Sequence, residues 1–250
     1  MEKIIVLGTG TAGALESFNT CFVLKDNNEE YFLVDTGGGN GVLTQLKHAG
    51  IDILKIHNIF ITHKHIDHLY GMLWIYRFID IAMQKENYEG TLNVYCHDEV
   101  AQILRDQIHK LLRKTQQQFL DKRIFINILE DREHFKVNSY DFEVIDIKAH
   151  SDKQFGFKTI LNNGKKLVFT GDEPLREELQ EEFKNYDWLL HEAFCLESEA
   201  EKYKPREKDH DTVMMVSQKA EKLGIKNLVL WHSQENLGEK RKERYIAEAK

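Results

Sequence analysis

His63-Lys64-His65-Ile66-Asp67-His68 places three imidazoles and a carboxylate within six residues. No regular helix brings all four to one side, because helical neighbours lie three and four residues apart. A strand fails too, since its period of two would send His68 to the face opposite His63 and His65. A loop just past a strand end can aim them at two nearby points. The bland alternative is a chance surface cluster among 12 histidines. The elements flanking the stretch decide between the two readings.

Upstream, Asn58-Ile59-Phe60-Ile61-Thr62 reads as the strand that delivers the motif. Downstream, Leu69, Met72, Leu73, Tyr76, Ile79 and Met83 recur at helical spacing, so a helix buries one face and anchors the loop from behind. Earlier still, residues 3–8 form a buried strand followed by Gly8-Thr9-Gly10-Thr11-Ala12-Gly13. The next element, residues 19–24, is β-branched and aromatic. The strand–turn–helix context of a dinucleotide fingerprint is therefore missing. Tyr31–Val34 is another strand, running into Asp35-Thr36-Gly37-Gly38-Gly39. That carboxylate on a sharply turning backbone reads as the partner that orients a metal-binding histidine. His48, in the last turn of a helix over 42–50, and His57 read as structural.

Further on, strands are expected at 91–96, 142–147, 155–160, 166–170, 187–190 and 227–231, with helices over 99–112 and 213–223. Asp211 or Thr212 caps the second of these helices. His63, His150, Asp172, His191 and His232 each follow an apolar strand within a residue or two. Strand ends at one sheet edge are neighbours in space, so the repetition argues for a shared site.

The 250 residues are read as a single domain, 1–250, with ample length for a core. A net charge of −7 disfavours a protein that coats nucleic acid nonspecifically. The basic-rich stretch 109–123 reads by default as a solvated face, with a phosphate-backbone contact as the alternative. No signal peptide or membrane span is apparent, and Cys21, Cys96 and Cys195 lack a CxxC pairing. The reading is a cytoplasmic protein with buried, reduced thiols and no membrane partner.

A centre for two Zn²⁺ needs about four ligands each, or fewer with water. His63, His65, Asp67, His68, His150, Asp172 and His232 supply seven. Mn²⁺ or Fe²⁺ suits the same nitrogen and oxygen donors. A carboxylate such as Asp172 can bridge two ions, and a water held there becomes a nucleophile near neutral pH. Glu192 and His210 fit a coupled pair in which an oriented imidazole protonates the leaving oxygen.

The order Asp35, His63-x-His65-x-Asp67-His68, His150, Asp172, His232 resembles the metallo-β-lactamase superfamily. Within it, His191-Glu192-Ala193 with His210-x-Thr212, and Leu7-Gly8-Thr9-Gly10 with Asn19-Thr20, look like the tRNA 3′-processing endoribonuclease, or RNase Z, branch. The likeness spans residues 4 to about 233. It implies an α/β fold, an αββα sandwich of two mixed sheets packed face to face with helices outside. It implies one ion on His63, His65 and His150, the other on Asp67, His68 and His232, with Asp172 bridging. Asp67 would help activate the water, and His210 with Glu192 would serve the scissile phosphate. The expected function is a metal-dependent phosphodiesterase or endoribonuclease, with RNA 3′ ends as a candidate substrate and a homodimer as a candidate assembly. The chain lacks the long Gly/Pro-rich arm of that branch, and reads His210-Asp211-Thr212 where the branch usually reads His-Ser-Thr. A smaller phosphodiester, another ester (sulfate ester, lactone or thioester) and a metal-free scaffold are the alternatives.

Overall fold

The computed structural model describes residues 1–235 and 238–250. The chain divides into two units. The first comprises Met1–Gly8, Phe18–Glu130 and Val137–Ser139; the second comprises Thr9–Ser17, Asp131–Lys136 and Tyr140–Lys250.

One six-stranded sheet runs in the order β1 (Lys3–Gly8), β2 (Cys21–Lys25), β3 (Tyr31–Val34), β4 (Ile56–Phe60), β5 (Leu92–Cys96), β6 (Ile124–Ile128). β1 to β3 pair antiparallel, and β3 to β6 pair parallel. The switch follows from the connections: residues 9–20 and the turn 26–30 join the first three strands without a helix, whereas helices fill the later crossovers. These helices are α1 (Gly41–His48), α2 (Ile66–Leu69), α3 (Gly71–Gln84) and α4 (Asp98–Leu111). On α3 the expected Met72, Tyr76, Ile79 and Met83 join one core with Leu33, Ile59 and Val94; Ile75 belongs to it as well, and the expected Leu73 is partly buried against it.

A second six-stranded sheet has the order β12 (Asn227–Trp231), β11 (Trp188–Glu192), β10 (Lys166–Phe169), β9 (Phe155–Ile160), β8 (Tyr140–Asp146), β7 (His134–Val137). Here β8, β9 and β10 pair antiparallel, and β10, β11 and β12 parallel. The remaining helices are α5 (Glu177–Gln180), α6 (Ala200–Tyr203), α7 (Val213–Lys222) and α8 (Arg241–Glu248). Thr212 caps α7, its hydroxyl accepting the Met215 amide, and donates to Glu197 Oε2.

A ladder of buried rings crosses this sheet: Phe142 to Phe157 at 5.0 Å, Phe157 to Phe169 at 5.4 Å, and Phe169 to Trp231 at 5.6 Å between centroids. Each ring contributes about 1.5–3 kcal/mol by burial, and each pair about 0.5–1.5 kcal/mol more. Phe169 and Trp231 immediately precede the segments that carry Asp172 and His232. The ladder therefore stiffens the ends from which those two side chains emerge.

Two strands, β6 and β7, were not expected. β6 is a parallel edge neighbour of β5, and β7 is only four residues long with alternating exposure. Both lie among charged and polar residues that mask a strand period. Among the described residues, no helix is long and apolar enough to cross a membrane.

Candidate metal centre

In the first unit the site grows from two adjacent parallel strand ends. Val34 of β3 lies beside Phe60 of β4, so Asp35 and Ile61-Thr62-His63 leave the sheet together. Asp35 adopts a left-handed backbone, φ 57°, and is 1% exposed. The Thr62 amide donates to its Oδ1 at 2.9 Å, and the Thr62 hydroxyl donates to the same carboxylate at 2.9–3.0 Å. His68 Nδ1 lies 2.8 Å from Asp35 Oδ2. A carboxylate oxygen accepts, so the proton of His68 sits on Nδ1 and its lone pair on Nε2. Thr62 spends its single hydroxyl proton on Asp35. At 2.9 Å from His63 Nδ1 the same oxygen must accept, which leaves the His63 lone pair on Nε2 as well. One carboxylate thus sets two tautomers, one directly and one through a hydroxyl.

The other histidine and the second carboxylate sit on the same turn. His63 Nε2 lies 2.9 Å from His65 Nδ1, the His63 and His68 rings are 4.2 Å apart, and Asp67 Oδ2 is 3.4 Å from His68 Nε2. The backbone departs from expectation here. His63 and His65 lie on the loop, but Asp67 and His68 belong to the single turn α2. That turn is clamped from Thr36, whose amide and hydroxyl both donate to the His68 carbonyl, at 2.9 and 2.7 Å. Gly71 closes the clamp, its amide donating to Gly37 O at 2.8 Å. A β-carbon at 71 would fall 1.9 Å from the Thr36 carbonyl oxygen, so only glycine fits.

In the second unit, β11 and β12 end together, Glu192 beside Trp231, and β10 ends at Phe169, opposite Leu190 of β11. Asp172, Glu192 and His232 therefore emerge at the carboxyl ends of parallel strands, where open sheets present their ligand sites. His232 has φ 51°, and its Nε2 lies 3.4 Å from Asp172 Oδ2. The His210 ring is 5.2 Å from that of His232 and stacks on Phe194 at 4.4 Å and 8°. His210 Nδ1 is 3.6 Å from Glu192 Oε2, and the Asp211 amide donates to Glu192 Oε1. One ligand atom from each of Glu192, His210 and His232 falls within 4.8 Å of the others.

Burial pushes the Glu192 carboxyl up to about 7, against the lowering pull of His210. Burial also pulls His210 down, but the hydrogen bond and charge of Glu192, aided by Asp172, outweigh it and leave His210 raised. His191 takes another part: it is buried, its Nδ1 lies 2.7 Å from the Thr170 hydroxyl, and burial lowers its pKa to about 4. It is a neutral strand residue.

His150 stands on an exposed bend, its Nδ1 2.9 Å from Asp209 Oδ1. Asp211, the carboxylate that departs from the resembled motif, is 1% exposed and ion-paired with Lys219 at 2.5 Å, so its charge is balanced locally. Sequence reasoning missed Thr62, Glu173 and Asp209. Each is a direct neighbour of a candidate residue in the chain, and that adjacency was the available signal.

Nitrogen lone pairs fixed by a buried carboxylate, close to further carboxylates, are the donor set a borderline divalent cation takes, so the residues present fit such an ion.

Residues 2–203 match the family described as Anti-Pycsar protein Apyc1. The chain belongs to that family. It is also similar to Ribonuclease Z of Nitrosopumilus maritimus, with 24% identity covering 92% of this chain and 88% of that protein. Its fold is that of the metallo-β-lactamase superfamily. The metallo-β-lactamase fold protein YhfI from Bacillus subtilis superposes with a TM-score of 0.77 at 19% identity, covering 99% of this chain and 92% of that one. Zn²⁺-bound PqqB from Methylobacterium extorquens gives 0.74 at 12% identity, covering 100% and 96%. The superfamily fold and the likeness to RNase Z were legible in the motifs; membership of this particular family was not.

Proposed function

We propose that the chain acts as one functional domain, 1–250, and as a metal-dependent phosphodiesterase. His63, His65 and His150 would hold one Zn²⁺, Asp67, His68 and His232 would hold the other, and Asp172 would be shared between them. The observation that carries it is Asp35, whose buried carboxylate leaves Nε2 of both His63 and His68 as the lone-pair nitrogen. The Ribonuclease Z relatives support phosphodiester bonds as the substrate class. The zinc-bound structural neighbour supports Zn²⁺ over Mn²⁺ or Fe²⁺.

When bound, a pair of divalent cations supplies Lewis acidity at phosphorus and a water acidic enough to attack near neutral pH. Asp67 would orient the attacking water and accept its proton. His210, kept protonated by Glu192, donates a proton to the departing oxygen.

One observation favours a small phosphodiester over the long RNA 3′ end of a tRNA precursor. In and just before the basic stretch, Arg123 donates to the carbonyls of Tyr88 and Gly90, Arg105 pairs both its terminal nitrogens with Asp121, and Lys110 pairs with Asp106. Those cations serve the fold. The stretch is therefore poorly suited to replace a substrate-gripping arm.

The test is turnover of bis-p-nitrophenyl phosphate beside p-nitrophenyl sulfate and a lactone, each with Zn²⁺, Mn²⁺ and Fe²⁺. Phosphodiester cleavage is expected to dominate. Absence of phosphodiester turnover with every metal would contradict the proposal and favour the other esters or a scaffold.

A homodimer has its own support. Ile66, Tyr70, Trp74 and Phe78 recur every four residues along α2 and α3, and all four are exposed. An apolar row of this size on a helix face marks an association surface. Trp74→Glu is expected to convert a dimer to a monomer by light scattering; an unchanged mass would contradict it. Three buried free thiols agree with a reducing, cytoplasmic compartment.

A further inference from the structure

We infer that Asp209 and Glu173 are positioning residues for His150, one fixing its imidazole and the other its backbone, and that together they set how tightly His150 holds a cation. The inference rests on the ligand assignment above.

His150 has little packing to hold it: its side chain is 64% exposed on the bend after β8. What restrains it is polar. Its Nδ1 lies 2.9 Å from Asp209 Oδ1. The carboxylate accepts, so the proton stays on Nδ1 and the lone pair is left on Nε2, the atom a cation would take. Asp35 does the same for His68 at 2.8 Å. Asp209 reaches this place in a left-handed conformation, φ 54°, unusual for a non-glycine residue, though aspartate is among the residues that visit it. The distortion turns consecutive side chains to separate duties: Asp209 meets His150, and His210 meets Glu192.

The backbone of the bend is held from beneath. Glu173 is 3% exposed, and its Oε2 accepts the His150 amide at 2.8 Å. Its Oε1 accepts the Ser151 hydroxyl at 2.7 Å. Arg176 balances the buried charge at 2.6 Å. Glu173 directly follows Asp172, so the turn that presents one ligand also fixes the backbone of another. A surface loop with no such duty would not need a buried carboxylate and its own arginine to order two residues.

Zinc affinity, measured by competition with a chromophoric chelator on the purified full chain, tests this without reference to turnover. Asp209→Ala is expected to weaken one of two zinc equivalents by about 10–100-fold, the usual cost of removing the carboxylate behind a ligating histidine. Asp209→Asn should recover most of the loss, because its Oδ1 still accepts the Nδ1 proton. In a His150→Ala background, Asp209→Ala should cost nothing further. Glu173→Gln should weaken the same equivalent; if it fails to fold, the Asp209 variants still decide. Parental affinity in Asp209→Ala, or an equal loss without His150, would overturn the inference and leave the ligand assignment standing. A parent that takes up no zinc would overturn the assignment itself.

Discussion

Asp67→Ala is expected to reduce phosphodiester turnover at least about a thousandfold, a barrier increase of roughly 4 kcal/mol. The fold should survive. Asp67 is one side chain on α2, and the turn is held through backbone groups by Thr36 and Gly71. The nitrogen donors of His63, His65 and His68 remain, with Asp35 still fixing two of them. On the proposed assignment, the variant should keep part of its metal while losing the group assigned to orient the attacking water. Steady-state kinetics with bis-p-nitrophenyl phosphate, alongside metal analysis, checks this. Activity within about tenfold of the parent, near 1.4 kcal/mol, would remove Asp67 from the assigned role.

The second large effect is at His210. Loss of a general acid costs typically about 10²–10⁴-fold, and His210→Ala should lie in that range while metal content changes little. Equal loss of metal and activity would instead make His210 a ligand beside His232, which its 5.2 Å ring separation permits. The sign of the pH effect separates acid from ligand. His210 is raised, so its protonated, proton-donating form persists to higher pH, and activity falls as pH rises through that value. Glu192→Gln removes the larger of the charges that raise it and leaves burial, which lowers it, opposed by Asp172 alone. The alkaline limb of kcat should then move to lower pH. A limb that stays in place would show that some other group sets it.

The parts of the site legible in the sequence were those whose signal is local. His63 to His68 declare themselves by density, and Asp35 by its position between a strand and three glycines. The strand ends could be read because Val34, Phe169 and Trp231 close apolar runs just before Asp35, Asp172 and His232. What stayed hidden depends on pairings across long separations. Asp209 meets His150 across 59 residues, and Glu173 meets it across 23. Neither pairing leaves a periodic trace. The one-turn helix α2 was read as loop because four residues are too few to show a helical period. Asp211 departs from the resembled motif, and the Lys219 that balances its charge lies eight residues on, two turns into α7. β6 and β7 were missed because charged residues crowd their flanks, Asp121-Lys122-Arg123 before β6 and Glu130-Asp131-Arg132-Glu133 between the two, and mask two short alternating runs.

The claim beneath all of this is that the chain's imidazoles and carboxylates exist to hold paired cations. Metal analysis by mass spectrometry, on protein purified without chelator, addresses it most directly. Two equivalents of divalent metal per chain are predicted, falling when His68 or His232 is replaced by alanine. Protein that is fully folded and metal-free, and remains so after incubation with Zn²⁺, Mn²⁺ or Fe²⁺, would contradict it.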